Sequence, residues 1–546
     1  MIHLFKKGGE FSYRKGSYFV LLSGIASGLG FFYYYYSRQL TLAHFDAKAH
    51  LLVARRIVDS LEPGYGQMGV NWLPLVHLIY LPLTIFESQY RTGLIPSLIS
   101  VIAFAVSGWL AYRISYRLTG SIAAGMFAAF VLLANGNLEY IQSCPLTEPM
   151  YMVLLLLAAD SLITWRDSAQ SNLPWLPATW CSLGALCRYE GWFFLAGVLS
   201  LLIYDCAIKF MPRRKAIRGA IVYAGVFGLP TAAHFGYIFF LLGDNFFHRV
   251  ATGNPDPYLT YKRPFLSLLY HWGELSQIAS ILPILAAAVG FLLLLSQREE
   301  FKRRVPLLLL WLPSLINISA LYWGLIYRVR YSVLLIPAVS IFGSLAVASD
   351  KAKERTLILL SAAAMAIPFA TWGLPHISQN NGLAPGPGIM LLPIIALLLF
   401  LFARARRCYG WPMIAICILG MQVPALEREN MPIMTETREH GFIEPQMREV
   451  IDYFYRNYDG RRILIDMGKL APLVYDSRLP VKEFVYNEGG EKLWNKTLQN
   501  PALEVGWICV QKGDAISEHL QVDPRWLDEY ALALKTEYFS IFHLKP

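Results

Sequence analysis

The sequence predicts a polytopic α-helical membrane protein that ends in a small extracytoplasmic α/β domain. Three observations predict it. Apolar runs close to the ~20 residues needed to cross a hydrocarbon layer recur as far as residue 426. Of the 546 residues, 55% are hydrophobic and only 16% charged, with a mean hydropathy of +0.41, whereas a soluble domain carries about 25% charged residues. Beyond residue 426 the composition changes abruptly, and acids and bases mix through EREN, TETREH and MREVIDYFYRNYDGRR.

The apolar runs lie near 17–37, 92–112, 120–135, 146–164, 174–188, 190–207, 219–242, 275–296, 305–323, 331–349, 356–374, 387–403 and 411–426. They are read as about thirteen spans. The first is an anchor, because Phe31, Phe32 and the tyrosines 33–36 offer no small-residue cleavage site. Tyrosines there suit a membrane–water interface.

The net charge of +10 is a topology signal. With the N-terminus in the cytoplasm, Lys6, Lys7, Arg14 and Lys15 lie inside, as do Arg113, Arg117 and Arg166. The clusters at 209–218, 298–304, 351–355 and 404–407 follow suit, which is the positive-inside pattern. Thirteen spans then export the tail, so the protein is expected in an inner or plasma membrane, with lipid as a partner and nucleic acid excluded.

The membrane module is expected over 1–426 and the soluble α/β domain over 427–546. In the tail, β-like runs at 462–466, 505–511 and 538–544 alternate with helical stretches near 446–458 and 514–520. RILIDMGKLAP lacks a Gly-rich phosphate loop, so docking or acceptor recognition suits this domain better than independent catalysis. The seven cysteines show no CxxC spacing, and only Cys509 lies in the tail, where it has no disulfide partner.

Ionisable residues gather in the first extracytoplasmic loop, about 38–91. Residues 45–61 contain no Pro or Gly and stop at Pro63–Gly64, as a helix of about four turns would. At about 100° per residue, Lys48, Arg55, Arg56 and Asp59 share one sector, opposite Ala47, Leu51, Ala54 and Val58. This amphipathic pattern predicts a helix lying along the lipid interface, its charges solvated. Asp46 and His50 stand one turn apart beside the apolar sector, where a carboxylate's basicity can be tuned. Either they are catalytic, or Asp46 caps the helix and His50 packs. Gln67, Asn71, Trp72 and His77 follow in a turn-rich stretch that either shapes a sugar or headgroup site or only re-enters the membrane.

Outer-face cations are few. Arg188 sits in RYEGW beside Glu190, and Glu148 opens the fourth span. Arg188 either holds a phosphate or pairs with Glu148 or Glu190. Arg249, Lys262 and Arg263 share one loop with His248. Arg328 and Arg330 begin the tenth span, either to contact substrate or to snorkel to headgroups.

HFDAKAHLLVARRIVDS followed by GQMGVNWLPLVHLIYLP resembles the first extracytoplasmic loop of GT-C glycosyltransferases. The similarity is to the bacterial branch of protein O-mannosyltransferases and aminoarabinose transferases, glycosyltransferase family 39-like. It extends through LTEPMYMVLLLLAADSLITW, LCRYEGWFFLAG, YRVRYSVLLIPAV and the tail. The resemblance implies the GT-C fold and transfer of a sugar from a polyprenyl-phosphate donor to an acceptor at the outer face. It implies a catalytic acid in the first loop, and Asp46 is the matching position. Mannosyltransferases often carry a second acid next, where this chain has Ala47.

Catalysis is thus expected of Asp46 and His50. Donor-phosphate or substrate contacts are expected among Arg188, Glu148, Glu190, Arg263, Arg328, Arg330, Trp72 and His77. No cofactor is expected, although a divalent cation on Asp46 is a chemical alternative. A transporter or flippase of lipid-linked glycans, or a non-catalytic GT-C-like scaffold, are the competing functions. The transporter reading is weakened because no matched pair of Gly/Pro-interrupted spans is visible.

Overall fold

The computed structural model describes residues 7–69, 72–168, 172–242, 259–325, 327–350, 352–373, 391–426, 428–438, 444–488 and 491–546. Two compact units emerge. One comprises Met1–Arg38, Ser97–Ala232 and Thr252–Glu436, and the other Gln39–Pro96, Ala233–Ala251 and Thr437–Pro546.

The first unit is helical. Among the described residues seven helices are long and apolar enough to cross a membrane: Tyr13–Ser37, Leu94–Thr119, Thr147–Asp167, Glu190–Ala207, Arg213–Phe240, Arg298–Trp323 and Val329–Ala348. The expected runs at 120–135, 174–188 and 411–426 form the shorter helices Ile122–Leu133, Trp175–Cys187 and Gly410–Gln422. At ~1.5 Å per residue such helices fall short of ~30 Å of hydrocarbon.

The run expected as one span at 275–296 is broken. Helices Pro264–Ala279 and Ile281–Ser296 meet at 113°, with Ser280 at φ 64° between them. A break strands backbone carbonyls, and lipid cannot satisfy them. Here side chains do: Asn135 Nδ2 donates to Ile278 O at 2.8 Å and Asn137 Nδ2 to the same oxygen at 3.3 Å. Helix Ile281–Ser296 then packs closely on Ile336–Ala348, since a Cβ on Gly290 would lie 1.8 Å from Phe342 O. Only glycine permits that approach. Within this unit Arg166 grips Asp205 at 2.5 and 2.6 Å, and Arg113 and Arg117 both meet Asp160.

The second unit contains a five-stranded sheet: β1 (Ile463–Ile465), β2 (Phe484–Tyr486), β3 (Trp507–Gln511), β4 (Tyr530–Lys535) and β5 (Phe539–Leu544). Its order is β2-β1-β3-β5-β4. The pairs β1–β2 and β1–β3 are parallel, whereas β5 runs antiparallel to β3 and β4. Helices Met467–Asp476 and Glu491–Gln499 make the crossovers that parallel strands require. The expected β-runs and helical stretches are all present, and two strands are additional. The core gathers Leu464, Val485, Trp494, Ile508, Val510, Ile516 and Trp526.

Candidate functional site

The first-loop helix spans Phe45–Arg56 and stops before the expected end at 61. Its N-cap is His44, whose Nδ1 accepts from Asp46 N at 3.0 Å. The capping alternative for Asp46 is therefore not met, since a neighbour makes the cap, and Asp46 stands in the first turn, where the helix dipole favours a carboxylate. Past Arg56 the backbone turns, with Val58 N and Asp59 N both bonded to Arg55 O, and the side chains of the helix's last two residues make tertiary bonds. Arg55 Nη1 donates to Thr84 O and Ile85 O at 2.7 and 2.8 Å, and Arg56 Nε donates to Gln67 O at 2.5 Å.

The charged sector does not face lipid. Arg56 is only 1% exposed and pairs with Glu488 at 2.9 Å. Lys48 meets Asp476 at 2.5 Å, and Asp59 accepts from both Arg55 Nε at 3.0 Å and Val481 N at 3.4 Å. The interfacial helix expected from amphipathicity is instead a helix whose polar face is bound by the tail domain. Of the expected apolar side, Ala47, Leu51 and Ala54 are buried, whereas Val58 lies beyond the helix end and is 45% exposed; a charged side is compatible with protein carboxylates as well as with water.

His50 is 1% exposed. Its Nδ1 lies 3.0 Å from His77 Nε2, and its ring meets Trp72 edge-on at 4.3 Å between centroids. His77 Nδ1 lies 2.9 Å from Leu73 O. A carbonyl only accepts, so His77 carries its proton on Nδ1 and presents an unprotonated Nε2. His50 must then donate through Nδ1, and in its neutral form its Nε2 can accept but not donate. Burial holds the His77 pKa well below the usual imidazole value, with His50 and Arg56 adding to the effect. The loop thus brings together His50, Trp72 and His77. Gln67, a weaker candidate, accepts from Tyr486 OH at 2.7 Å and donates to Glu62 O at 2.9 Å, as a structural side chain does.

A second cluster lies in the helical unit. Arg188 directly follows helix Trp175–Cys187. Its Nη1 donates to Glu148 Oε1 at 2.9 Å and Thr147 Oγ1 at 2.8 Å, and its Nη2 to Glu190 Oε1 at 2.8 Å. Arg330, 3% exposed, lies 3.4 Å from Glu148 and 3.6 Å from Glu436. Both guanidinium groups stand over Tyr331, at 4.9 and 5.5 Å. Snorkelling by Arg330 is excluded by this burial, because the guanidinium is enclosed by carboxylates rather than headgroups.

Four expected residues, Glu148, Arg188, Glu190 and Arg330, therefore converge, and Glu436 and Tyr331 join them. Glu436 was hidden in TETREH, which reads as part of the soluble tail. Arg263 is exposed at the start of helix Pro264–Ala279, and Arg328 is half-buried before the 3-10 turn Val329–Leu335. Lys262 is exposed above the Tyr261 ring at 5.0 Å. Asn71, His248 and Arg249 lie outside the described residues. Sequence reading also missed a buried network in which Glu139 accepts from Arg428 Nη1 and Gln422 Nε2, both at 2.8 Å. Among the described residues, no three His, Cys, Asp or Glu side chains converge to hold a metal ion.

No family model matches the sequence, and no curated protein matches it. Solved structures do match. The crystal structure of ArnT from Cupriavidus metallidurans bound to undecaprenyl phosphate superposes with a TM-score of 0.58 at 12% identity, covering 95% of this chain and 97% of that one. The apo structure of the same protein gives 0.53 at 13% identity, covering 91% and 92%. At such identities the likeness establishes a shared architecture along nearly the whole length of both chains. The protein has the fold seen in ArnT.

Proposed function

We propose that the protein is an integral-membrane glycosyltransferase. It moves a sugar from a polyprenyl-phosphate-linked donor to an acceptor hydroxyl at the outer face of the membrane, with inversion. The observation that carries this reading is the end-to-end likeness to ArnT, which is captured with undecaprenyl phosphate. Asp46 is the base. Its carboxylate takes the proton of the acceptor hydroxyl as that oxygen bonds to the anomeric carbon. The bond from that carbon to the phosphate oxygen breaks, and its electron pair leaves on the polyprenyl phosphate.

His50 stands one turn beyond Asp46 on the same helix. Because its Nδ1–H is committed to His77, neutral His50 receives a hydroxyl through Nε2, and only the imidazolium would donate to an anion. This chemistry favours contact with a sugar or acceptor hydroxyl over contact with the phosphate. The arginine–glutamate cluster suits binding less well than support, since its guanidinium groups are already bound by carboxylates. Transport is the weaker reading, because among the described residues only one span is broken, without a matching partner.

The test is Asp46→Asn in purified protein supplied with a polyprenyl-phosphate sugar. Transfer should fall by about 10²-fold or more, with insertion and thermal stability unchanged. Near-normal transfer would remove Asp46 from the mechanism. Mass spectrometry of lipid co-purifying with Asp46→Asn would identify the sugar.

A further inference from the structure

Open α/β sheets receive ligands at the carboxyl ends of their parallel strands, where the strand order reverses. In the tail sheet, β1 leads outward to β2, and the chain then crosses to β3 on the other side of β1. At this edge a small molecule would be expected, but protein fills it. Asp466, just past β1, accepts from Gly468 N, Asn487 Nδ2 and Ala515 N at 3.1, 2.8 and 3.0 Å. Beside it arrives Arg56, the last residue of the Asp46 helix. Its Nη1 reaches Glu488 just past β2 at 2.9 Å and Met467 Sδ just past β1 at 3.4 Å.

We propose that Arg56 and Glu488 are positioning residues for glycosyl transfer, fixing the Asp46 helix on the ligand edge of the tail sheet. Arg56 is suited to this because its fork also binds the first loop itself, donating to Gln67 O at 2.5 Å and Met68 O at 3.4 Å. One guanidinium thus ties the helix end, the turn that follows and the tail sheet into one joint. Lys48–Asp476 adds a second tie two turns earlier on the helix. A base must be held within a fraction of an ångström to be productive. A neutral residue at 488 leaves the fold of the tail intact but loosens the joint.

This inference rests on the transfer reading above, and the experiment separates the two. Glu488→Gln, and independently Asp476→Asn, are purified and compared with wild type in two measurements. Hydrogen exchange across residues 45–56 should quicken in both variants. The kcat for transfer, and the slow acceptor-free hydrolysis of a polyprenyl-phosphate sugar, should fall together by roughly tenfold in Glu488→Gln, with KM for the acceptor unchanged. Unchanged exchange, or a raised acceptor KM at constant kcat, would overturn the proposal and make the tail an acceptor-recognition surface. A wild-type protein inert toward lipid-linked sugars would defeat the transfer reading, while the exchange comparison would still judge the joint.

Discussion

His50 Nδ1 and His77 Nε2 lie 3.0 Å apart in a fully buried contact, and the carbonyl of Leu73 fixes which of the two rings donates. A lone buried imidazole can exchange tautomers. This one cannot do so without breaking its bond to His77, which itself would have to abandon Leu73. The direction of the hydrogen bonds is therefore set by the backbone of the loop.

Replacing His77 with Phe should lower kcat about tenfold, because His50 then divides between tautomers. In a His50→Gln background the same change should cost almost nothing further. The double-mutant cycle is the measurement, read as kcat. Additive losses would mean that His77 supports the loop independently of His50.

Arg330→Met should destabilise the helical unit by about 3–5 kcal/mol, since it strands Glu436 and part of the charge on Glu148 in a buried site. Thermal unfolding in detergent would register the loss. A snorkelling arginine would give almost no change.

Asp514 provides a pH signature for the tail. Burial, with a contribution from Asp466, pushes its pKa up to about 6. The folded state therefore binds a proton that the unfolded state has lost, and this group's stabilising contribution, complete below about pH 4, disappears as pH rises through 6. Asp514→Asn should flatten the dependence of the melting temperature between pH 4 and 7 while retaining the cap on helix Ala515–Val522, whose Ser517 N bonds Oδ1 at 2.7 Å.

We expect transfer to be independent of a resident metal. Dialysis against EDTA should leave the rate within about twofold, and added divalent ions should not raise it. A strong loss restored by magnesium or manganese would place a cation on Asp46.

Much of the fold was legible because membrane crossing imposes long apolar runs and tails of mixed charge do not resemble them. The first-loop helix was legible from its lack of Pro and Gly and its amphipathic period, but the approach of His50 to Trp72 and His77 was not, because it depends on how the turn-rich stretch folds back on the helix. Nor were partners distant in sequence. Arg56 and Glu488 are separated by 432 positions, and nothing local distinguishes a solvated arginine from one destined for a buried carboxylate. The break at Ser280 was invisible because the side chains that satisfy the nearby Ile278 carbonyl, Asn135 and Asn137, stand 143 and 141 residues earlier at another helix's start. β2 was too short to register as a strand, and YALALK has helical preferences that pairing with β5 overrides.

The unit that holds the Asp46 helix is assembled from three stretches of chain, and its ties join residues far apart in sequence. Lys48 waits for Asp476, 428 residues later. At a synthesis rate of about 5–20 residues per second, the interval is roughly 20 to 90 s. During that time the ribosome has delivered the helix but not the carboxylates that will neutralise it. Loss of even the last part of the chain, through premature termination or proteolysis, would therefore leave an inserted protein whose earliest loop never matures.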